Sequence, residues 1–296
     1  MGKKTSRWLF GILLLLLIGI GLFSWRQKQQ KVAVSSSTAI TQNQQKTAAH
    51  QDTIPTIYLH GYGAGARSTN SMITYAEEHD NAHRVLTATI SRSGQVKLSG
   101  SWPKNTKRPL IQVVLKDNTN NDYFVTREWI HNLLLLLKRK YHISRYNTVA
   151  HSMGNLTFLF YQIKYGQNNA LPKLKKQVNL GAPFNGIIGM DDQPNRNRLE
   201  KTGKPKYFSS TYQYLLEHRK DYPRGVDILN IFGNKGDGTN SDDAVSVTSA
   251  RSLRYLVETR AASYHEIEVK GPGGQHSKLH ENKAVAKKID QFLWHN

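Results

Sequence analysis

Residues 146–155 read Tyr-Asn-Thr-Val-Ala-His-Ser-Met-Gly-Asn, and this stretch decides the fold. Tyr146 to Ala150 is a short run bounded by polar residues, which predicts a buried strand. Met153 to Tyr165 carries apolar residues at helical spacing, which predicts a helix. Between them stand His151 and Ser152, with a small residue two positions either side of the serine, Ala150 and Gly154. A sharp strand-to-helix turn needs such small residues, because bulkier ones would meet the neighbouring strand and helix. The turn exposes the hydroxyl and aims a helix N-terminus, with its free N–H groups, at a reacting oxygen. The bland alternative is an ordinary serine N-cap at a strand–helix junction.

Working outward, strands and helices alternate. Strands are expected at Ile54–His60, Arg84–Ile90, Gln95–Leu98, Leu110–Leu115, Gln177–Leu180, Val226–Phe232 and His265–Val269. Ser93-Gly94 suggests a hairpin between the second and third of these. Helices are expected at Tyr123–Tyr141, Val247–Glu258 and Asn282–Trp294. The first ends in Lys138-Arg139-Lys140, as a helix C-terminus prefers. Its Leu133–Leu137 run is too short to span a bilayer and reads as buried. Such alternation implies an α/β architecture with a mostly parallel sheet covered on both faces.

Two loops after strands frame the serine. His60-Gly61-Tyr62-Gly63 follows the first strand, and its glycines let the backbone pass close to a substrate. A phosphate-binding P-loop would need G-x-x-x-x-G-K-[ST], which is missing here. After Val226–Phe232 three aspartates compete for the role of acid: Asp237, Asp242 and Asp243. A Ca²⁺ loop is the alternative, but the EF-hand glutamate and spacing are lacking. After His265–Val269, His276 follows a Gly-rich turn, while His280 opens the last helix.

Taken in order, LHGYGAG, VAHSMGN, NLGAPFNG, SDDAV and QHSKLHEN resemble the α/β-hydrolase superfamily, more narrowly bacterial membrane-anchored cell-surface hydrolases of largely unknown substrate. The resemblance runs from about Ile54 to Trp294. It implies Ser152 as nucleophile, His276 as general base and Asp242 as the acid, in the chain order Ser…Asp…His of that fold. It places oxyanion donors at the backbone N–H groups of Tyr62 and Met153. His60, Gly61, His151 and Pro183 are expected to line the substrate pocket. Two positions depart from the family pattern: Ala150, and Asp243 where the pattern prefers Gly. The implied chemistry is hydrolysis of a carboxylic ester or lipid through an acyl-enzyme, with no metal or organic cofactor. An acyltransferase on the same site and a non-catalytic surface-binding module are the competing readings.

The segment from Ile187 to Pro223 is long, polar and basic, and falls where such folds insert a lid. Deleting residues 190–222 is expected to alter substrate preference yet leave the fold cooperative.

The N-terminus differs in kind. Trp8 to Trp25 carries no charge and would span about 27 Å as a helix, against a hydrocarbon thickness of about 30 Å. Lys3, Lys4 and Arg7 precede it, so residues 1–7 are expected in the cytoplasm and 8–25 are expected to be a transmembrane signal-anchor. A cleaved signal peptide would have a shorter apolar core and a better small-x-small site. Residues 26–53, rich in Gln, Ser and Thr, read as a flexible tether carrying an extracytoplasmic domain over 54–296. The remaining body, roughly 240 residues, suits one α/β domain with insertions.

The chain has no cysteine, which excludes disulfides, thiolate metal sites and cysteine nucleophiles. Its net charge of +20 points toward anionic partners such as lipid head groups or an acidic wall polymer. Nucleic acid is not expected, since no helix-turn-helix, zinc-finger or RNP-like motif accompanies the charge.

Overall fold

The computed structural model describes residues 53–295. The expected transmembrane segment at 8–25 and nearly all of the tether lie outside them. Among the described residues no helix is long and apolar enough to cross a membrane.

Eight strands form one sheet: β1 (Thr56–Leu59), β2 (His83–Ile90), β3 (Val96–Gly100), β4 (Pro109–Leu115), β5 (Arg145–His151), β6 (Lys173–Leu180), β7 (Asp227–Asn234) and β8 (Ser263–Lys270), in the order β3-β2-β4-β1-β5-β6-β7-β8. Only β3 runs antiparallel, as the return arm of the Ser93-Gly94 hairpin. The helices are α1 (Arg67–His79), α2 (Tyr123–Tyr141), α3 (Met153–Tyr165), α4 (Ser210–Glu217), α5 (Val247–Arg251), α6 (Leu253–Val257) and α7 (Lys283–Trp294). This is the α/β-hydrolase fold, with a mostly parallel sheet and flanking helices.

Side chains alternate along the strands and so build two cores. Ile57 and Leu59 of β1 face a large cluster with Trp129, Ile130, Leu133 and Leu137 of α2 and Leu156 and Phe160 of α3. Tyr58, between them, faces the opposite cluster with Met72 and Ile73 of α1 and Ile289 and Phe292 of α7. The central strand β1 is paired along both edges, with β4 and β5, and helices cover both its faces, so all four of its residues are buried. The boundaries of α2 and α3 match the sequence reading. Asp122 caps α2 by accepting from the N–H groups of Phe124 and Val125.

Three differences from the sequence reading have local causes. Helix α1 was not expected, because its stretch is rich in Ser, Thr, Asn and Glu. It holds through a narrow buried stripe of Ser68, Thr69, Met72, Ile73 and Ala76. The helix expected at Val247–Glu258 is two short ones meeting at Ser252. There the Ser252 hydroxyl donates to the Ser249 carbonyl and the Tyr212 hydroxyl takes the Ser252 carbonyl, drawing it out of the helix ladder.

The third difference concerns the segment 187–223. It is not a removable flap. Its helix α4 buries Tyr212 and Leu215 in the large core, as does Tyr222 just beyond, whose hydroxyl donates to Gln177 on β6 at 2.9 Å. Losing three such side chains would cost several kcal/mol each by analogy with large-to-small core changes, roughly 2–5 apiece. Deleting 190–222 would therefore unfold the domain, contrary to the expectation from sequence. Only the stretch before α4 sits outside the core.

Candidate active site

At the C-terminal end of β5 the chain turns sharply into α3. Ser152, at the turn, has φ +52° and ψ −125°, a conformation most residues avoid. Several contacts hold it there. The Ser152 N–H donates to the Leu180 carbonyl at 2.9 Å, and the buried Asn155 amide donates to the carbonyls of Ser152 and Leu180. Gly154 lets α3 pass the end of β1, since a Cβ there would lie 2.7 Å from the His60 carbonyl oxygen. Ala150 is buried in register with Leu59 and Asn179, and its methyl is accommodated in the large core.

The Ser152 hydroxyl makes no capping bond to its own helix. It lies instead 3.0 Å from His276 Nε2. His276 Nδ1 is 2.8 Å from Asp242 Oδ2. The other carboxylate oxygen, Asp242 Oδ1, accepts from the N–H groups of Ala244 and Val245 at 3.0 and 2.7 Å. Asp242 is therefore buried, charge-compensated by backbone donors and aimed at the imidazole. The His276 N–H returns to the Asp242 carbonyl at 2.8 Å, locking the two loops together.

The other two aspartates of the loop point elsewhere. Asp237 accepts from Thr239 and pairs with Lys235 at 3.0 Å, and those donors hold its carboxyl well below the usual carboxylate range. Asp243 also pairs with Lys235. Its φ is +90°, which accounts for the glycine that the family pattern prefers there.

The loop after β1 passes over the serine. Gly61 is pressed against it: a Cβ at this position would lie 2.8 Å from Ser152 Cβ. Neither Tyr62 nor Met153 has its backbone N–H bonded to another backbone group among the described residues. For Met153 this is the ordinary condition of a first helical residue.

His60 is a correction. It was expected in the pocket wall, yet it is fully buried. Its Nε2 accepts from the Leu115 N–H at 2.9 Å, which puts the ring proton on Nδ1, where it donates to the Gly61 carbonyl at 2.9 Å. His60 ties the ends of β1 and β4 together and shapes the Gly61 turn. Burial keeps its pKa below the usual imidazole value. His151 is also buried rather than pocket-lining. Burial foremost, then the charges of His276 and His280, hold its pKa well below the ordinary value. Gly61 abuts the serine, and Pro183 does line a cleft.

That cleft has a volume of about 470 Å³ and a mainly apolar floor that includes Leu156, Phe160, Pro183 and Tyr214. Leu156 is one helical turn beyond Ser152. Ile187 and Met190, from the start of the inserted segment, form part of its wall. A larger depression of about 570 Å³ lies between β7, β8 and α7, among Leu229, His265, Ile267 and Phe292. It touches none of the residues around the serine.

Sequence reasoning missed one contributor, Asp192, and only bracketed another, Gly181, within the NLGAPFNG segment. Gly181 (φ +52°) follows β6, and a Cβ there would lie 3.1 Å from His276 Nδ1 and 3.2 Å from Asp242 Oδ2. Asp192, buried in the inserted segment, accepts from the Ser246 hydroxyl at 2.6 Å, while the Ile188 N–H donates to the Ala244 carbonyl. The inserted segment is thereby stitched to the loop that carries Asp242. The resemblance of NLGAPFNG to a segment that borders active sites was the signal for Gly181; nothing in the sequence marked Asp192. Among the described residues no group of His, Asp and Glu side chains is arranged to hold a metal ion.

A strained serine at a strand–helix elbow, on this sheet order, defines an α/β hydrolase. The chain belongs to the family Alpha/beta hydrolase of unknown function (DUF915), whose model matches residues 43–296. Among solved structures it is similar to the product of the lin2722 gene of Listeria innocua, at 26% identity and a TM-score of 0.74, over 82% of this chain and 94% of that one. It is also similar to a Lactobacillus plantarum protein described as a candidate cell surface hydrolase, at 22% identity and a TM-score of 0.68, over 82% and 92% of the two chains. No functionally curated protein matches the sequence.

Proposed function

We propose that this hydrolase is a serine esterase acting on carboxylic esters through an acyl-enzyme on Ser152. The observation that carries this reading is the continuous line from Ser152 Oγ to His276 Nε2 at 3.0 Å and from His276 Nδ1 to Asp242 Oδ2 at 2.8 Å. In the proposed reaction His276 takes the hydroxyl proton as Ser152 Oγ attacks the ester carbonyl carbon. The oxygen becomes an oxyanion facing the N–H groups of Tyr62 and Met153. Collapse breaks the C–O bond, and His276 passes the proton to the departing alcohol. Water, deprotonated by His276, then frees the acid and restores the serine. Asp242 keeps the imidazole proton on Nδ1 and stabilises the imidazolium as it forms. The apolar floor of the adjoining cleft favours an ester with a hydrophobic portion.

We further propose that residues 8–25 anchor the chain in a membrane with the hydrolase domain outside the cytoplasm. The charge-free run and the cations before it support this. A cell-surface site of action would match the description of the Lactobacillus plantarum relative.

The decisive experiment treats the detergent-solubilised full chain with a fluorophosphonate and reads intact mass. A single adduct on the wild type, lost in Ser152→Ala and His276→Ala, is the expected result. A folded wild type that takes no adduct, with or without detergent, would overturn the esterase reading. Resistance of the chain to carbonate extraction from membranes tests the anchor separately.

A further inference from the structure

The stretch before α4 contains an unusual surface. Residues 196–206 carry Arg196, Arg198, Lys201, Lys204 and Lys206 against one acid, Glu200. They form a compact hairpin-like loop. Leu199 bridges to Pro205, the Lys206 N–H donates to the Arg198 carbonyl, and Asn197 exchanges two bonds with the backbone of Tyr207. The buried Asn185 amide fixes its base by donating to the Tyr207 carbonyl at 2.8 Å. The loop is therefore a built platform on the core.

None of its five cations pairs with a carboxylate among the described residues, although ion pairs occur at Arg92, Arg108, Arg127, Lys235, Arg251 and Arg254 elsewhere. Three of the five lie beside aromatic rings instead. Arg196 and Lys206 sit 6.0 and 5.5 Å from the centre of the Tyr207 ring, and Lys204 sits 5.8 Å from that of Phe208. Both rings are open to solvent, at 49% and 40% exposure, and so is Met190, earlier in the same segment, at 73%.

We infer that this loop docks the domain on an anionic phospholipid bilayer. Charge complementarity selects an anionic partner. The exposed rings select a lipid surface over a soluble polyanion, because a polymer would engage the cations and leave Tyr207, Phe208 and Met190 in water. At a bilayer, aromatic rings settle at the head-group level while neighbouring Lys and Arg reach the phosphates. The same segment supplies Ile187 and Met190 to the cleft wall, so docking brings the cleft toward the lipid phase. This inference uses the proposed anchor only as a tether and is independent of whether Ser152 reacts.

The chain has no cysteine, so Thr202→Cys gives a single labelling site in the middle of the loop. The full-length labelled chain is reconstituted with phosphatidylcholine vesicles, with or without a third of phosphatidylglycerol, each carrying a head-group spin-labelled lipid quencher. Flotation of the vesicles reports attachment; quenching of the dye reports docking. We expect strong quenching with the anionic vesicles, several-fold less with the zwitterionic ones, and reversal by high salt. Combining Arg196→Gln, Arg198→Gln, Lys201→Gln and Lys206→Gln should abolish the quenching while the chain still floats. Flotation with anionic vesicles alone would show docking without an anchor, and so supports the inference against the anchoring proposal. Equal quenching with both lipids, quenching with neither, or no flotation with either would overturn it. So would a dye that responds to soluble polyphosphate but not to anionic vesicles.

Discussion

His151 Nε2 donates to the backbone carbonyl of His276 at 3.0 Å, joining residues 125 apart in sequence. The two rings lie 4.6 Å apart, and the other nitrogen of His151 sits under the Gly61 turn. One buried imidazole thus touches the strand of the nucleophile, the loop of the base and the turn that carries Tyr62. In the proposed mechanism it is a positioning residue. His151→Leu should lower kcat on a p-nitrophenyl ester about five- to tenfold, the worth of one hydrogen bond of about 1 kcal/mol, with KM little changed. His151→Gln, which can still donate, should recover most of it. An unchanged kcat in the leucine variant would remove this role.

Gly181 offers a sharper test of geometry. Its left-handed φ already disfavours a side chain, and a Cβ would lie 3.1–3.2 Å from both His276 Nδ1 and Asp242 Oδ2. Gly181→Ala should displace the imidazole from the carboxylate or from Ser152. We expect esterase activity and fluorophosphonate labelling to fall by at least about tenfold, with a smaller fractional effect on Tm. Full labelling in a folded Gly181→Ala protein would show that the His276–Asp242 contact is not needed.

Three buried histidines predict sensitivity to acid. Burial, as the leading cause, lowers the pKa of His60, His151 and His280. Below about pH 6.5 the unfolded chain binds protons that the folded chain refuses, so stability falls as pH falls through that range. The urea midpoint should drop between pH 7 and pH 5.5. His280→Leu should reduce this drop while leaving the pH 7 midpoint nearly unchanged.

Asp290 predicts an opposite and smaller contribution over an overlapping range, which offsets part of the histidine effect and continues up to about pH 8. It is buried on α7, and burial first, with the nearby Asp80 charge second, pushes its pKa up to about 8. Between about pH 4 and 8 the folded state holds a proton that the unfolded state has released. Stability from this group is therefore full below the ordinary carboxylate pKa and is lost as pH rises, by at most about 1.4 kcal/mol per unit. Asp290→Asn should raise the urea midpoint at pH 8 relative to wild type, with the gain shrinking toward pH 5. An equal effect at both values would mean that its proton uptake is not linked to folding.

Much of the scaffold was legible in the sequence because its signals are local. The period of apolar residues marked α2 and α3 to their ends, and a two-residue Ser-Gly signal marked the one antiparallel strand among the described residues. Helix α1 was hidden by polar composition, since its stability comes from a narrow stripe packed on α7 and the sheet rather than from propensity. The inserted segment misled in the other direction. Its polar exterior concealed Tyr212, Leu215 and Tyr222, whose burial depends on partners far away in the chain.

The sequence by itself determined the class of fold and the serine at its elbow, because a strand, a tight turn and a helix are written within a few consecutive residues. Local reading of the loops leaves three aspartates and two histidines open, and the family resemblance favours Asp242 and His276. Tertiary structure shows which of them meet. Only Asp242 meets His276, because backbone N–H groups of Ala244 and Val245 hold its carboxylate inward while Lys235 holds Asp237 and Asp243 outward. The same holds for His60, whose neighbours in sequence suggested a pocket wall and whose neighbours in space made it a strut between β1 and β4. Hydrogen-bond partners 34 to 125 residues away choose the direction in which a side chain points, and no local pattern encodes that choice.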